Sequence, residues 1–552
     1  MGSSRRKRPP LRRRRSDDAL CRFPRAHGGS RRQAGGVSGN GDGADGLRLA
    51  SGRGRWVMAC VVLASGMAML DGTVVNVALP RMGRDLGASL SVLQWVVNAY
   101  MLTLSALILW GGALGDRMGR RRTLLLGVAW FAGASALCGL APNEYVLICA
   151  RALQGVGGAL LTPGSLALVR ASFHPDDQSR AVGAWSGLTG VAGALGPFLG
   201  GWLIDGPGWR WIFLINVPLA VAVVLIAVAF VPESRDPAAA GRPFDTLGAC
   251  LAAVALGGLS YALISASSGS PVVRVVLAAV VAAAAGAAFL GVERRARNPM
   301  MPLSLFSSRL FSATNGMTVY LYAAIGGVLF LLPVQLQTAL GYDALEAGLA
   351  TMPITVLMLL LSARAGALAK RIGPAVPLIT GPLVAAAGAS LLLRVGPDSA
   401  YVPDILPAVL GMGLGMSLFV APLTATVLAS VDAEHAGLAS GVNNTAARVA
   451  QLLIVAALPL LVGLSGDAYT SGAAVNRSFH RAAVVTVVLF IAASATAALF
   501  VRPRRERHRV ETAPRPVCRS HLSLTCPPLE PGPDVSRRQG QEDGRRGSGA
   551  GR

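Results

Sequence analysis

Fourteen apolar runs, each about long enough to cross a membrane, determine which folds this chain can adopt. They occur between residues 57 and 501, and two of them, 246–266 and 273–292, are weaker because they consist largely of Ala and Gly. A helix of about 20 apolar residues spans the hydrocarbon core of a bilayer. Lipid offers no partner to free backbone groups, so each run must satisfy its own hydrogen bonds as a helix. The sequence therefore predicts an all-α integral membrane protein with fourteen transmembrane helices.

The net charge of +23 is concentrated at the two ends of the chain. Residues 1–55 carry +11 and residues 502–552 carry +6, which leaves +6 for residues 56–501. Aromatic residues are not interleaved with the terminal arginines, so a nucleic-acid-binding surface is not expected. Both tails are predicted to be disordered. The Arg-rich leader also fits a transit peptide, or an over-extended reading frame with a start nearer Val37 or Met58.

The distribution of basic residues predicts the orientation in the membrane. An even number of spans places both termini on one side. The loops and helix ends on that side contain fifteen Arg and Lys residues, against seven on the other side. Basic loops stay in the cytoplasm during insertion, so we expect a multi-pass cell-membrane protein with both termini cytoplasmic.

A single acid, Asp71, interrupts the first apolar run, which extends from Trp56 to Pro80. A carboxylate at the centre of a bilayer costs about 2.5–3.5 kcal/mol on insertion scales, and such residues usually face a cavity or an ion path. Asp71 could simply lie near a helix end and bond to neighbouring backbone. Its position well inside the run favours a proton-binding group instead.

The seven cysteines show no spacing typical of a metal site. Cys60, Cys138, Cys149 and Cys250 lie in apolar runs, where we expect them to be small core residues. Neither a metal site nor a cofactor is predicted.

The turn between the second and third runs reads GALGDRMGRRRTL, from Gly112 to Leu124. A charged cluster in so short a turn can act as a latch against a neighbouring helix end, or it can serve only as an orientation signal. The pattern G-x-L-x-D-R-x-G-R-R resembles the signature loop of the major facilitator superfamily. The resemblance implies a conformational latch made of Gly112, Asp116, Arg117, Gly119, Arg120 and Arg121.

Two further segments resemble motifs of the same superfamily. LICARALQGVGGA resembles its fourth-span motif, with Arg151 inside the helix and Gln154 beside it. The resemblance links Arg151 to proton transfer, in which it could stabilise ionised Asp71; alternatively, helix carbonyls alone could satisfy it. GVAGALGPFLGGWL resembles the antiporter motif of the fifth span, although Ala192 stands where a Gly is usual. There a kink and close helix contacts are expected at Gly196, Pro197, Gly200 and Gly201.

The second half of the chain offers fewer polar candidates. In SGVNNTAARVAQ, the residues Asn444, Arg448 and Gln451 share one helix face by their i, i+4, i+7 spacing. They either line a central cavity or join helices by hydrogen bonds. Asn76 and Gln154 are further candidates for the cavity lining. The later spans contain no additional acid at membrane depth, which argues against dicationic drugs and against multi-proton coupling.

LDGTVVNVALP around Asp71 and WRWIFLINVP at 209–218 resemble the fourteen-span drug/proton antiporter branch of the superfamily. That resemblance implies two six-helix halves, at residues 56–235 and 299–501. Two inserted spans with their linkers occupy residues 236–298, and the disordered tails are 1–55 and 502–552.

The resulting hypothesis is proton-coupled export of amphipathic small molecules by a monomer. Its partners would be a small-molecule substrate, protons and the lipid bilayer, without nucleic acid. The alternatives are proton symport of a nutrient and a non-transporting membrane sensor. An enzyme is not expected, because the polar loop clusters at 174–177 and 432–435 are short and unpaired.

Overall fold

The computed structural model describes residues 46–235, 245–296, 299–432 and 435–501. Within these residues, fourteen helices are long and apolar enough to cross a membrane, which confirms the predicted all-α architecture. The first seven are α1 (Gly52–Leu86), α2 (Leu90–Met118), α3 (Arg120–Gly139), α4 (Glu144–Ser172), α5 (Pro175–Asp205), α6 (Trp211–Phe230) and α7 (Thr246–Ser267). The others are α8 (Val272–Arg295), α9 (Arg309–Thr338), α10 (Ala344–Ile372), α11 (Ala375–Arg394), α12 (Tyr401–Ala429), α13 (Ala436–Val462) and α14 (Gly472–Phe500).

Local sequence signals set several of the helix ends. Asn143 accepts a hydrogen bond from the backbone of the first turn of α4, and Asp343 and Glu346 form a capping box on α10. Gly87 and Gly463 end α1 and α13 in the left-handed conformation, with φ of 60° and 74°. These signals place tight turns between neighbouring helices.

Apart from α7 and α8, the helices pack in two groups. In the first group α1 packs on α5, and α4 packs on both α2 and α3. In the second, α9 packs on α14, while α12 packs on α10 and α11. The groups meet where α5 lies against α10 and α2 lies against α13.

The inserted pair lies at one side of this junction. Helices α7 and α8 pack against each other, and α7 also contacts α2 and α13, so it touches both groups. Trp95 of α2 and Tyr261 of α7 place their ring centroids 6.4 Å apart. Much of α8 is exposed, including Val272, Val273 and Leu277, as expected for a surface facing lipid tails. Residues 236–244 and 297–298 of the predicted insertion lie outside the described part.

Hydrogen bonds join the two groups near the face opposite the termini. Gln94 of α2 donates to the carbonyl of Val455 at 2.7 Å, and Gln337 of α9 donates to that of Val77 at 2.8 Å. Asp205, at the end of α5, accepts from the backbone N–H at the start of α10 at 2.7 Å. We call this set of contacts the seal. It closes the junction on that face.

The described part of the chain begins at residue 46, before the predicted boundary at residue 56. Leu47 is buried, donates its N–H to Ser172, and accepts from His174 between α4 and α5. Residues 1–45 and 502–552, the rest of the predicted tails, lie outside the described residues. One expectation about the cysteines was wrong. Cys149 and Cys250 are exposed rather than buried. A small apolar residue of a membrane helix can face lipid as readily as the protein interior.

Candidate functional site: a buried ion pair between α1 and α4

Asp71 of α1 and Arg151 of α4 form an ion pair inside the first group of helices. Nη1 of Arg151 lies 2.6 Å from Oδ2 of Asp71, and each side chain is 1% exposed. Nε of Arg151 donates to the backbone carbonyl of Val96 at 3.0 Å. Arg151 therefore contacts the carboxylate of Asp71 and a helix carbonyl at the same time.

Gln154 completes a polar chain around the pair. Its amide nitrogen donates to Oδ1 of Asp71 at 2.8 Å and to Oγ of Ser135 at 2.7 Å. Its carbonyl oxygen accepts from Nη1 of Arg151 at 2.7 Å. Ser135 in turn accepts from Asn216 of α6 at 3.3 Å. Gln154 is completely buried in this chain, so it belongs to the ion-pair site rather than to a cavity wall.

Aromatic rings cover the guanidinium of Arg151. Its central carbon lies 4.4 Å from the ring centroid of Tyr100 and 5.7 Å from that of Phe213. The negative face of a ring stabilises a cation, by about 2 kcal/mol where water is excluded. Removing one partner of such a buried pair typically costs about 3–5 kcal/mol, because the other charge remains without compensation. The two side chains therefore compensate each other's charge, and the attraction between them is lost when either one is neutral.

The small residues of α5 allow helices on both sides to approach closely. A Cβ on Gly196 would collide with Thr73 of α1, and one on Gly201 would collide with the backbone of α10 at Leu345. Gly200 faces Val74 in the same way. The helix is continuous through Pro197, whose carbonyl lies against Gly348 of α10. These predicted residues therefore lie between α1, which carries Asp71, and the second group of helices.

The loop between α2 and α3 contacts the end of α6. Asp116 bonds to the guanidinium of Arg120 at 2.9 Å within the loop itself. Gly119 has a φ of 111°, a backbone conformation that favours glycine, and it faces the carboxylate of Glu233. Glu233 accepts from the backbone N–H of Arg121 at 3.1 Å, and Arg121 donates to the carbonyl of Val231. The structure thus adds Glu233 to the predicted cluster. Arg117 also takes part in an interaction, and Gly112 packs on Pro163 of α4.

The predicted cavity residues do not all lie together. Asn76 donates to the Gly72 carbonyl of its own helix at 3.3 Å. Asn444, Arg448 and Gln451 are half-buried on α13. Asn443, from the same polar run, bonds to two residues of α9 and therefore joins helices within the second group.

Several buried polar residues carry little signal in the sequence. Ser135 and Asn216 are isolated polar residues in apolar runs, and only the fold brings them to Gln154. Asn98 is fully buried on α2, and neither polar atom of its side chain has a partner among the described residues. Glu293 is buried at the end of α8 and accepts from the Met301 N–H. In the part of the chain that the structure describes, no group of three or more His, Cys, Asp and Glu residues is arranged to hold a metal.

A two-group helical bundle with a buried carboxylate–guanidinium pair defines a membrane transporter rather than an enzyme. The family model described as Major Facilitator Superfamily matches residues 61–455. The chain belongs to this superfamily.

Its curated relatives include several named for drug resistance. It is 36% identical over 415 residues to the tetracenomycin C resistance and export protein of Streptomyces glaucescens, covering 74% of this chain and 76% of the relative. It is 36% identical over 449 residues to the methylenomycin A resistance protein of Bacillus subtilis, covering 79% and 95%. It is 34% identical over 396 residues to the multidrug efflux pump LfrA of Mycolicibacterium smegmatis, covering 71% and 77%.

Solved structures show the same fold at low sequence identity. A bacterial homologue of the human drug peptide transporters PepT1 and PepT2 gives a TM-score of 0.59 at 16% identity, covering 81% of this chain and 98% of the other. A D-xylose–proton symporter gives a TM-score of 0.57 at 15% identity, with the same coverage.

Proposed function

We propose that this protein exports amphipathic small molecules, such as drugs, antibiotics or metabolites of the same cell, in exchange for protons. Membership of the superfamily and relatives named for resistance and export support efflux. The observation that supports proton coupling is the contact between Asp71 and Arg151, a titratable pair buried among transmembrane helices. No covalent chemistry is needed.

In this scheme the protonation state of Asp71 biases the two conformations of the carrier. Ionised Asp71 holds Arg151, and thereby ties α1 to α4. A proton on Asp71 weakens that tie, so the two protonation states favour different helix arrangements. A ligand can shift such an equilibrium only by its difference in affinity for the two states. One proton per cycle fits the presence of one such pair.

Residues 56–235 and 299–501 would be the two halves that rock against each other. The seal closes the face opposite the termini, and its hydrogen bonds would break when that face opens. Gly201 of α5 and Gly348 of α10 give the halves a close contact on which to pivot. The loop residues Gly112, Asp116, Arg117, Gly119, Arg120 and Arg121, together with Glu233, would hold α2, α3 and α6 as one body.

The excess of arginine on the terminal side supports cytoplasmic termini in the cell membrane. With that orientation, the seal faces outward. The monomer contains both halves and the ion pair, so we assign function to a single chain.

The test uses purified protein in lipid vesicles with an imposed pH gradient and a fluorescent dye as substrate. Under this scheme the gradient drives dye uptake into vesicles that are acidic inside. Asp71→Asn abolishes the dependence on the gradient, because an amide cannot carry the proton. Asp398→Asn is the matched control, since Asp398 is exposed outside the helices.

Gradient-driven transport by Asp71→Asn at the wild-type rate would remove Asp71 from the coupling step. The alternative of nutrient uptake by symport predicts that substrate and protons move in the same direction. The direction of dye flow relative to the gradient separates the two mechanisms in the same vesicles.

A further inference from the structure

Arg448 of α13 is a half-buried guanidinium without a carboxylate partner. None of the ion pairs and hydrogen bonds found among the described residues involves its side chain. Helices α9 and α13 contain no Asp or Glu, and the only acid of α2 is Asp116 at its terminal-side end. An unpaired charge at membrane depth is costly and usually marks a substrate or ion path.

The spacing along α13 places Arg448 at the junction of the two halves. Gly441 packs on Leu109 of α2, and the Val455 carbonyl accepts from Gln94 of the same helix. Arg448 is seven residues from both Gly441 and Val455, so it lies on the same face of α13. Along the helix it is about 10 Å from either contact. It lies on the terminal side of the seal.

Two tyrosines lie level with Arg448 along the neighbouring helices. On α9, Thr318 bonds to Asn443 and Gly326 packs on Gln451, so Tyr322 lies between these two contacts with α13. On α2, Tyr100 lies between Gln94 and Leu109, and its buried ring stacks on Arg151. In the described residues, no carboxylate of α2, α9 or α13 lies at this level, so the charge of Arg448 is uncompensated on these helices.

We propose that the export substrate carries an ionised acidic group, a carboxylate or phenolate, which binds Arg448 while its aromatic part packs on Tyr322. A planar guanidinium binds a carboxylate through two parallel hydrogen bonds, and it binds the single oxygen of a phenolate through a charge-assisted hydrogen bond. Amphipathic cations are repelled by the same charge. This inference rests on the proposed export function and adds the chemical class of the substrate.

An anionic substrate changes how proton and substrate are linked. A proton on Asp71 leaves Arg151 uncompensated, which by charge alone strengthens anion binding. The proton and the anionic substrate therefore do not compete for one carboxylate. Their movements must instead be coupled by the conformational change that opens and closes the seal. Exchange of a proton for an anion also moves charge, so a voltage that is negative inside accelerates export.

The test measures equilibrium binding to the purified full chain, without any gradient. The probes share one ring system and differ in charge: 2-naphthoate, 2-naphthylmethanol and 2-naphthylmethylammonium. We expect 2-naphthoate to bind about tenfold more tightly than the alcohol, as for a hydrogen bond to a charged group. The ammonium should bind most weakly.

Three variants locate the charge preference. Arg448→Gln should weaken 2-naphthoate binding about tenfold and leave the alcohol unchanged, whereas Arg448→Lys keeps part of the preference. Arg274→Gln is the matched control, because Arg274 is exposed on α8 away from the junction. Asp71→Asn should retain 2-naphthoate binding, because it removes a negative charge and leaves Arg448 in place.

Equal binding of the three probes, or no 2-naphthoate binding at roughly 1 mM, overturns the proposal, as does an unchanged preference in Arg448→Gln. If that variant does not fold, the wild-type ranking of the probes decides alone. The vesicle assay is independent of these results. Gradient-driven transport of a dye without a preference for anions would refute the substrate class and leave export intact.

Discussion

The two halves share an architecture but hold their polar residues in different ways. In the first half, Asp71, Arg151 and Gln154 form a charged network that is nearly completely buried. In the second half, Asn443 bonds to Asn315 and Thr318 in a network without charge. Its one cation at the junction, Arg448, has no acid beside it. We infer that the first half senses the proton, and that the second half contributes packing and substrate recognition.

The largest expected effect is that of Arg151→Ala, which leaves Asp71 buried without its counter-ion. We expect a loss of about 3–5 kcal/mol in the free energy of unfolding, with little folded protein recovered. Arg448→Ala in the other half should cost less than about 1 kcal/mol, because it removes no partner from a buried acid. Thermal unfolding of the two purified variants in detergent measures the difference.

Similar stabilities of the two variants would contradict this contrast between the halves. The double variant Asp71→Asn/Arg151→Gln should recover part of the lost stability without recovering gradient-driven transport, since it removes both charges together.

A smaller effect is expected for Asn443→Ala in the uncharged network. The variant leaves the Asn315 side-chain oxygen, which accepts from Asn443 at 3.2 Å, without that donor. An unsatisfied buried group costs about 1–3 kcal/mol. Because no titratable group is involved, the destabilisation should be equal at about pH 5.5 and pH 8. A strong pH dependence of the loss would show that the second half also contains a titrating site.

The smallest effect is expected at the loop that joins α2, α3 and α6. Glu233→Gln weakens the bond to the Arg121 N–H and the ion pair with Arg122, whose atoms are 3.7 Å apart. Partly exposed ion pairs contribute about 0.2–1 kcal/mol, so we expect slower transport with nearly normal stability. Lys370→Gln is the control in the corresponding loop of the second half, where Lys370 is exposed. Equal transport rates for both variants would remove the loop from the mechanism.

The sequence by itself determined the number of helices and the class of the protein. Long apolar runs have only one stable form in lipid, and charged loops bias their orientation. Asp71 and Arg151 could be singled out because a charge in an apolar run is costly and therefore informative.

Only the tertiary structure decided which polar groups meet. Some of these groups are distant in sequence from their hydrogen-bond partners, as are Ser135, Asn216 and Glu233. An isolated polar residue also produces no periodic pattern from which its contacts could be predicted. The exposure of Cys149 likewise depends on whether its side of the helix faces lipid or the protein. The sequence does not distinguish the two, since lipid and a protein core favour the same apolar side chains. Contacts between helices depend on their packing in three dimensions, which local sequence patterns do not specify.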